Sequence, residues 1–201
     1  MERVFIFIDG SNFYHALKEE IGRTNIDFLK LAYKLCKNRN LVGVNYYNAP
    51  LKKEYNPEQY KAQQKFFHYI RNLPGFNLQL GHLELRKLEL KTEFLLKLKN
   101  FLDEENIKLI TNIKYPVEKG VDILLATDML SLAYYDIFDT GILISGDGDF
   151  AYVIKKIKLL RKKIEVAFFP KRRCYHLRQI CDMFIPFNKN FFEFYNEEKN
   201  C

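Results

Sequence analysis

The chain has 201 residues, a length typical of one α/β domain, and its 48% hydrophobic content excludes an intrinsically disordered protein. No apolar run reaches the ~20 residues that a membrane-spanning helix needs, and the first residues lack the pattern of a signal peptide, so we expect a cytoplasmic protein without a membrane partner. The formal net charge of +7 permits a polyanionic partner, and the four cysteines and four histidines show no spacing typical of zinc ligands.

The first predicted strand, Val4–Ile8, is β-branched and aromatic throughout, a pattern typical of a parallel strand buried on both faces. It ends at Asp9, and Gly10 permits a tight turn there. Ser11 or Asn12 can then cap the helix that we expect to follow. A carboxylate therefore stands directly after the first strand.

Periodicity and turn residues predict the next elements. They are a helix over about 28–37 capped by Asp27 or Asn25, a strand over 41–47, a helix over about 58–72 and a strand over 76–80. Alternating leucines allow this third strand to continue to Leu90. We interpret 86–114 as an insertion or hairpin beside the site, with helical spacing over 92–102 and a strand-like pattern over 107–113.

Asp122 lies in the first turn of the next predicted helix, over about 123–134, where the helix dipole favours a carboxylate. On spacing alone, an ordinary helix cap is the better explanation of this residue. Asp128 follows six residues later, on another side of the helix, and we expect it to face solvent or an ion-pair partner.

A second strand end carries two carboxylates. The apolar run 141–144 predicts the fourth strand, which ends at Ser145 and Gly146. Asp147 and Asp149 follow at once, and a segment with helical periodicity begins after them. Acids at the carboxyl end of a buried strand occupy the place where open α/β sheets carry their chemistry.

The last quarter of the chain is the most basic. Ten basic residues lie between positions 155 and 178, where Glu165 is the only acid. The remaining predicted elements are a fifth strand over 163–169, a short helix over 176–180, an edge strand or extended tail over 183–187 and a docked terminal helix over 191–195. A solvated helix face explains the lysines of the helix, but explains less well the basic run that follows the fifth strand.

Strands that alternate with helices predict a parallel sheet with helices on both faces. Because crossovers are right-handed, the carboxyl ends of the strands share one edge, which brings together Asp9, Asp147 and Asp149. Asp122 should open onto the same edge, whereas Asp139 precedes its strand and belongs to the opposite end. Neighbouring carboxylates repel one another, and a divalent cation removes that cost. An all-oxygen ligand set favours Mg²⁺ or Mn²⁺, and such sites commonly act on phosphates.

Several short motifs resemble one known family. They are Phe7-Ile8-Asp9-Gly10-Ser11-Asn12-Phe13, Lys119-Gly120-Val121-Asp122, Ala126-Thr127-Asp128-Met129, Ser145-Gly146-Asp147-Gly148-Asp149-Phe150 and Cys181-Asp182-Met183-Phe184-Ile185. Together they resemble the NYN domain, LabA-like branch, of the PIN-like nuclease superfamily. The resemblance spans most of the chain in the expected order, and departs from the family pattern in the Lys/Leu-rich segment 86–114.

The resemblance implies a three-layer α/β/α Rossmann-like (PIN-like) sandwich with a parallel sheet of order 3-2-1-4-5. It implies a single domain over 1–201, with an insertion at about 86–114 and a C-terminal extension at about 182–201. A homodimer is compatible with it.

The resemblance also implies a site and an activity. The site would hold Mg²⁺ or Mn²⁺ and support hydrolysis of single-stranded or structured RNA, as in an endoribonuclease. Its implied residues are the metal-site acids Asp9, Asp122, Asp147 and Asp149, with Asn12 as a polar companion that holds phosphate or orients Asp9, and Ser11 or Ser145 binding a ligand water or phosphate.

Three functions stay open. The first is the metal-dependent ribonuclease, in which Lys155, Lys156, Arg172 and Arg173 contact phosphates; Phe13, Tyr14 and Phe150 could stack bases, although core packing is favoured for each aromatic. The second is an RNA-binding or regulatory module without cleavage. The third is a different α/β metal domain that acts on small phosphomonoesters. The chain contains neither GxGxxG nor GxxxxGK[ST], which argues against dinucleotide and P-loop nucleotide binding.

Overall fold

A parallel sheet organises the chain, whose computed structural model describes residues 1–87, 102–111, 114–170 and 174–195. The strands are β1 Arg3–Asp9, β2 Asn40–Asn48, β3 Phe76–Leu80, β4 His82–Lys87, β5 Lys114–Lys119, β6 Thr140–Ile144, β7 Lys163–Phe168 and β8 Met183–Pro186. The six-stranded sheet has the order β3-β2-β1-β6-β7-β8, and β4 and β5 form a separate two-stranded sheet.

Helices cover both faces of the large sheet. They are α1 Gly10–Glu20, α2 Phe28–Cys36, α3 Pro57–Asn72, α4 Glu104–Thr111, α5 Val121–Tyr134, α6 Ala151–Leu159 and α7 Tyr175–Ile180, with short 3₁₀ helices at Gly148–Phe150 and Lys189–Tyr195. One apolar core holds residues of α1, α2 and α3, and the other holds residues of α5, α6 and α7. Among the described segments, no helix combines the length and apolar character needed to cross a membrane.

The predicted α/β/α sandwich is confirmed, and so is the order 3-2-1-4-5, in which β6 and β7 are the predicted fourth and fifth strands. β8 pairs in parallel with β7, so the predicted edge strand is also confirmed. The docked C-terminal segment is a 3₁₀ helix whose Phe192 is fully buried against Phe169 and Phe187.

The segment between β3 and α5 differs from the prediction in two places. The strand expected to run from 76 to Leu90 is divided at Gly81, where an added Cβ would lie 2.5 Å from the carbonyl oxygen of Lys119. The strand expected over 107–113 is wrong, because residues up to Thr111 belong to α4. Asp103 accepts a hydrogen bond from the Asn106 backbone N–H at 2.8 Å, a helix N-terminal signal that outweighs the local alternation.

The expected hairpin beside the site is partly visible. β4 and β5 pair antiparallel, with His82 opposite Lys119, although the sequence did not predict β5. The helical spacing over 92–102 lies outside the described residues, apart from Leu102.

Asp139 lies at the amino edge of the sheet, as expected. The Arg3 guanidinium donates to Asp139 Oδ1 at 2.7 Å and holds the pKa of that carboxyl at about 2. Its exclusion from the candidate site is therefore supported by an ion pair at the opposite edge.

A mostly buried ion pair fixes α2 to the sheet, and its loss should be costly. The Arg39 guanidinium donates to both oxygens of Glu165 at 2.7 and 3.0 Å, and Glu165 is 6% exposed. We expect Arg39→Met to lower the free energy of unfolding by about 3–5 kcal/mol, because the carboxylate of β7 loses its charged partner. Urea unfolding followed by circular dichroism measures this loss.

The matched control is the double variant Arg39→Met/Glu165→Met, which removes both charges. It should recover most of the lost stability, because neither charge is then left buried without a partner. A double variant as unstable as Arg39→Met would show that packing, or the hydrogen bonds from Arg39 to the carbonyls of Leu35 and Cys36, accounts for the effect instead of the ion pair.

Candidate metal centre at the carboxyl edge of the sheet

Two loops that are distant in sequence meet at the carboxyl edge of the sheet. β1 and β6 are parallel neighbours with Ile8 opposite Ile144, so the loops after them emerge side by side. The Ser145 hydroxyl donates to Asp9 Oδ2 at 2.8 Å, and both residues are buried. The pairing of the two central strands therefore sets the position of the Asp9 carboxylate.

Asp9 is also the N-cap of α1. Its backbone is extended, at φ −72° and ψ 95°, and its Oδ1 accepts a hydrogen bond from the Asn12 backbone N–H at 3.2 Å. The expectation that Ser11 or Asn12 caps this helix is wrong, because the last residue of the strand already provides the acceptor. Both oxygens of Asp9 are thus held by hydrogen-bond donors.

Asn12 joins the two loops. Its side-chain oxygen Oδ1 accepts a hydrogen bond from the Gly146 backbone N–H at 3.1 Å. The described side-chain contact of Asn12 therefore joins the two loops, and the roles expected for its amide, toward a phosphate or toward Asp9, stay predictions.

The second loop presents its two acids through a chain of hydrogen bonds. The Asp147 backbone N–H donates to Ser145 Oγ at 3.1 Å, and Asp147 Oδ1 accepts from the Asp149 N–H at 2.9 Å. Asp147 thereby caps the 3₁₀ turn Gly148–Phe150. The Ser145 hydroxyl thus accepts a hydrogen bond from the Asp147 N–H and donates one to Asp9, so a single oxygen atom links the two loops.

Two glycines allow this close packing. A Cβ on Gly10 would lie 2.4 Å from Cε1 of Tyr46, and a Cβ on Gly146 would lie 2.3 Å from Cε1 of the buried Phe168. Gly10 begins α1 and is not among the residues with positive φ, so the structure requires it for space rather than for a special turn conformation.

Burial is the main influence on the charge of Asp9. The residue is 4% exposed, and its loss of contact with water raises the pKa to about 7. Hydrogen bonds from Ser145 and Asn12 lower that pKa, whereas the charges of Asp122 and Asp147 raise it further. The site therefore concentrates negative charge around a carboxylate that is poorly solvated.

Asp122 belongs electrostatically to the same cluster. Partial desolvation raises its pKa, and the charges of Asp147 and Asp149 act in the same direction. The N-cap position of α5 is occupied by Gly120, at φ 81°, so the explanation of Asp122 as an ordinary cap is wrong. Asp9 thus lies within electrostatic range of Asp122 and Asp147, and Asp122 within range of Asp147 and Asp149.

Glu118 is a further acid of this cluster that the sequence did not single out. Partial desolvation raises the pKa of its carboxyl, a hydrogen bond from the Ser11 side chain lowers it, and the charge of Asp122 raises it. The described contact of the Ser11 side chain is therefore with Glu118 of β5, and its expected role toward a water or phosphate stays a prediction. The signal available in the sequence was the position of Glu118 four residues before Asp122, in the same motif region.

We expected Asp128 to face solvent or an ion-pair partner, but its described partners are two uncharged side chains. Its Oδ2 accepts hydrogen bonds from the Tyr47 hydroxyl at 2.9 Å and from the Asn45 amide at 3.3 Å. Tyr47 is the register partner of Asp9 on β2, so a polar network borders the acidic cluster on that side.

The expected nucleic-acid contacts are only partly described. Lys155 and Lys156 are exposed on α6, whereas Arg172 and Arg173 lie outside the described residues. Among the aromatics considered for stacking, Phe13 and Phe150 are 1% and 2% exposed and belong to the core, while Tyr14 is 46% exposed. Buried rings cannot stack on bases, so Phe13 and Phe150 are removed from that role.

In the part of the chain that the structure describes, the predicted acids do not form a closed set of direct metal ligands. Among the described residues, no three His, Cys, Asp or Glu side chains stand close enough together to ligate a metal ion directly. Mg²⁺ commonly keeps several waters and takes only one or two carboxylates directly, and carboxylate oxygens are the ligands that it prefers. Asp9, Asp122, Asp147 and Asp149 carry such oxygens.

Comparisons with known proteins agree with this fold. A family model described as NYN domain matches residues 3–188. The chain is also similar to the crystal structure of a protein of unknown function from Vibrio parahaemolyticus RIMD 2210633, with a TM-score of 0.62, 20% identity and 94% of each chain covered. At that identity the likeness supports the fold alone. No curated protein matches the sequence significantly.

Proposed function

The chain belongs to the NYN domain family, and from this premise we propose that it is a Mg²⁺- or Mn²⁺-dependent endoribonuclease that hydrolyses phosphodiester bonds in RNA. NYN domains are nuclease-like, which gives the reaction class at a coarse level. The observation that carries the finer proposal is the bond between Ser145 and Asp9, which holds the acids of two strand ends at one edge.

In this proposal, Asp9, Asp122 and Asp147 hold the cation, directly or through water. When bound, a divalent cation polarises the phosphoryl oxygen and lowers the pKa of a coordinated water. Asp149 helps to position the attacking water, and Ser145 orients Asp9 through its hydroxyl. Asn12 keeps the two loops at a fixed separation by accepting the Gly146 N–H.

The electrostatics of the acids support a cation at this position. Asp9 is buried, and the charges of Asp122 and Asp147 disfavour its ionised form. A cluster of like charges destabilises the fold unless a counter-charge is present. This is the main argument against the alternative, an RNA-binding or regulatory module of the same fold that does not cleave.

Positive charge beside the acids supports a polyanionic substrate. Lys155 and Lys156 are exposed on α6, which begins directly after the acidic turn. We propose that they contact phosphates together with Arg172 and Arg173. Affinity for RNA should then fall as the salt concentration rises.

The test is cleavage of a fluorescently labelled RNA by the purified chain with Mg²⁺, with Mn²⁺ and with EDTA. Cleavage that requires the cation supports the proposal. Salt-sensitive binding without cleavage would favour the RNA-binding module. Release of phosphate from p-nitrophenyl phosphate, with no action on RNA, would favour a phosphomonoesterase.

A further inference from the structure

An exposed aromatic ring stands directly beside the acidic turn. Tyr152 lies in the first turn of α6, three residues after Asp149, and is 69% exposed. The ammonium Nζ of Lys156 lies 5.1 Å from the centroid of its ring. A cation at this distance interacts with one face of the ring and helps to fix its orientation.

A second exposed ring, that of Tyr175, lies near the same turn. His176 of α7 packs against the acidic turn, because the Cδ2 atom of His176 is 3.7 Å from the position that a Cβ on Gly148 would occupy. Tyr175 contacts His176 edge-on, with ring centroids 5.8 Å apart, and is itself 66% exposed. Two exposed tyrosines therefore lie near the turn that carries Asp147 and Asp149.

This arrangement suits one form of RNA. Aromatic side chains stack on unpaired bases irrespective of base identity, while nearby lysines follow the backbone. Bases inside a duplex are already stacked and paired, so they present no free face to a protein ring. Two exposed rings near an acidic turn would each seat an unpaired base and bring the adjoining phosphates close to the acids.

We propose that Tyr152 and Tyr175 are the base-stacking positions of this chain, and that they seat unpaired nucleotides next to the reacting phosphate. The placement of the phosphate rests on the proposed function. The stacking itself does not, because it can be measured as binding without cleavage.

The absence of tryptophan from the sequence allows a direct test. In Tyr152→Trp, the introduced indole is the sole tryptophan, and stacking with a base quenches its fluorescence. The matched control is Tyr134→Trp, because Tyr134 is 72% exposed but lies at the far end of α5, toward the opposite edge of the sheet. The probes are a single-stranded oligouridylate, the same length of abasic ribose-phosphate and an RNA duplex, all in EDTA.

We expect the oligouridylate to quench Tyr152→Trp strongly and Tyr134→Trp little, with the abasic strand and the duplex quenching neither. Tyr152→Ala should weaken oligouridylate binding roughly 5- to 100-fold, with no change for the abasic strand. Tyr175→Ala should behave in the same way.

The outcomes separate this inference from the proposed function. Quenching at position 152 without any cleavage by the wild-type chain would support the stacking and overturn the nuclease. Two results, in a chain that cleaves RNA, would overturn the stacking and leave the nuclease standing. One is equal quenching of the tryptophans at positions 152 and 134. The other is a Tyr152→Ala variant that loses as much affinity for the abasic strand as for the oligouridylate. No binding of the oligouridylate at all would overturn the stacking.

Discussion

Replacing Asp147 with asparagine should lower the rate of cation-dependent RNA cleavage by roughly 10²- to 10⁴-fold, the range typical of a lost electrostatic or acid-base contribution. Asparagine has the same shape and keeps an amide oxygen that can accept the Asp149 N–H, so the 3₁₀ turn should stay intact. The variant therefore removes a negative charge from the proposed metal site with little change in the fold. Initial rates at saturating Mg²⁺ measure the effect.

Asp136→Asn is the matched control for this experiment. Asp136 is an exposed carboxylate that pairs with Arg3 at 3.1 Å, at the opposite edge of the sheet from the acids. Its backbone has a positive φ of 57°, a conformation that asparagine tolerates well. The control changes the net charge by the same amount and should cleave at close to the wild-type rate. If Asp147→Asn also cleaves at the wild-type rate, Asp147 does not hold the cation.

The stability of the cation-free chain should fall as the pH rises from about 4 to about 7, and Asp9→Asn should remove much of that fall. The pKa of Asp9 is raised from an ordinary value of 3.8 to about 7, chiefly by burial. Between these values the folded chain binds a proton that the unfolded chain has lost. The stabilisation from the protonated carboxyl is thus complete below the lower pKa and is lost as the pH passes the higher one.

This pKa difference corresponds to at most about 4 kcal/mol, because each tenfold change in proton affinity is worth about 1.4 kcal/mol. Asparagine resembles the protonated carboxyl, although its amide nitrogen must face the Ser145 hydroxyl or the Asn12 N–H. Urea unfolding in EDTA at pH 5 and pH 8 measures the difference between wild type and Asp9→Asn at each pH. From pH 5 to pH 8, the free energy of unfolding of Asp9→Asn should rise relative to that of wild type by about 2–4 kcal/mol.

Adding Mg²⁺ at pH 8 is the complementary measurement. The cation should stabilise wild type more than Asp9→Asn, because it binds the folded state through an ionised carboxylate that the variant lacks. A difference between wild type and variant that does not change with pH would show that Asp9 is not protonated near neutrality in the folded chain.

The sheet and the position of the acids could be predicted from local hydrophobic patterns together with one rule of topology, the right-handed crossover between parallel strands. Val4–Ile8 and 141–144 are continuous apolar runs, and each is followed at once by polar residues. Parallel pairing then requires both strand ends to lie at one edge, and β1 and β6 are indeed neighbours. Asp9 and Asp147 follow from that rule without any knowledge of the intervening chain.

Glu118 could not be found in this way, because its strand has no clear pattern. β5 contains Pro116, which lacks a backbone N–H and normally argues against a strand. The two-stranded sheet tolerates it, since a strand with one partner leaves half of its N–H groups unpaired. Tyr152 was missed for a different reason: helical periodicity identifies buried residues such as Phe150, but it does not show which exposed residues lie near the acids.

The hydrogen bond between Ser145 and Asp9 spans 136 positions of the chain, and this has a consequence for synthesis. While the polypeptide is being made, the first strand and its acid leave the ribosome long before the second loop exists. The acidic cluster cannot assemble until β6 has emerged and paired with β1. Under the proposed function, a nascent chain would therefore be unable to cleave the messenger and ribosomal RNA around it until most of the protein has been translated.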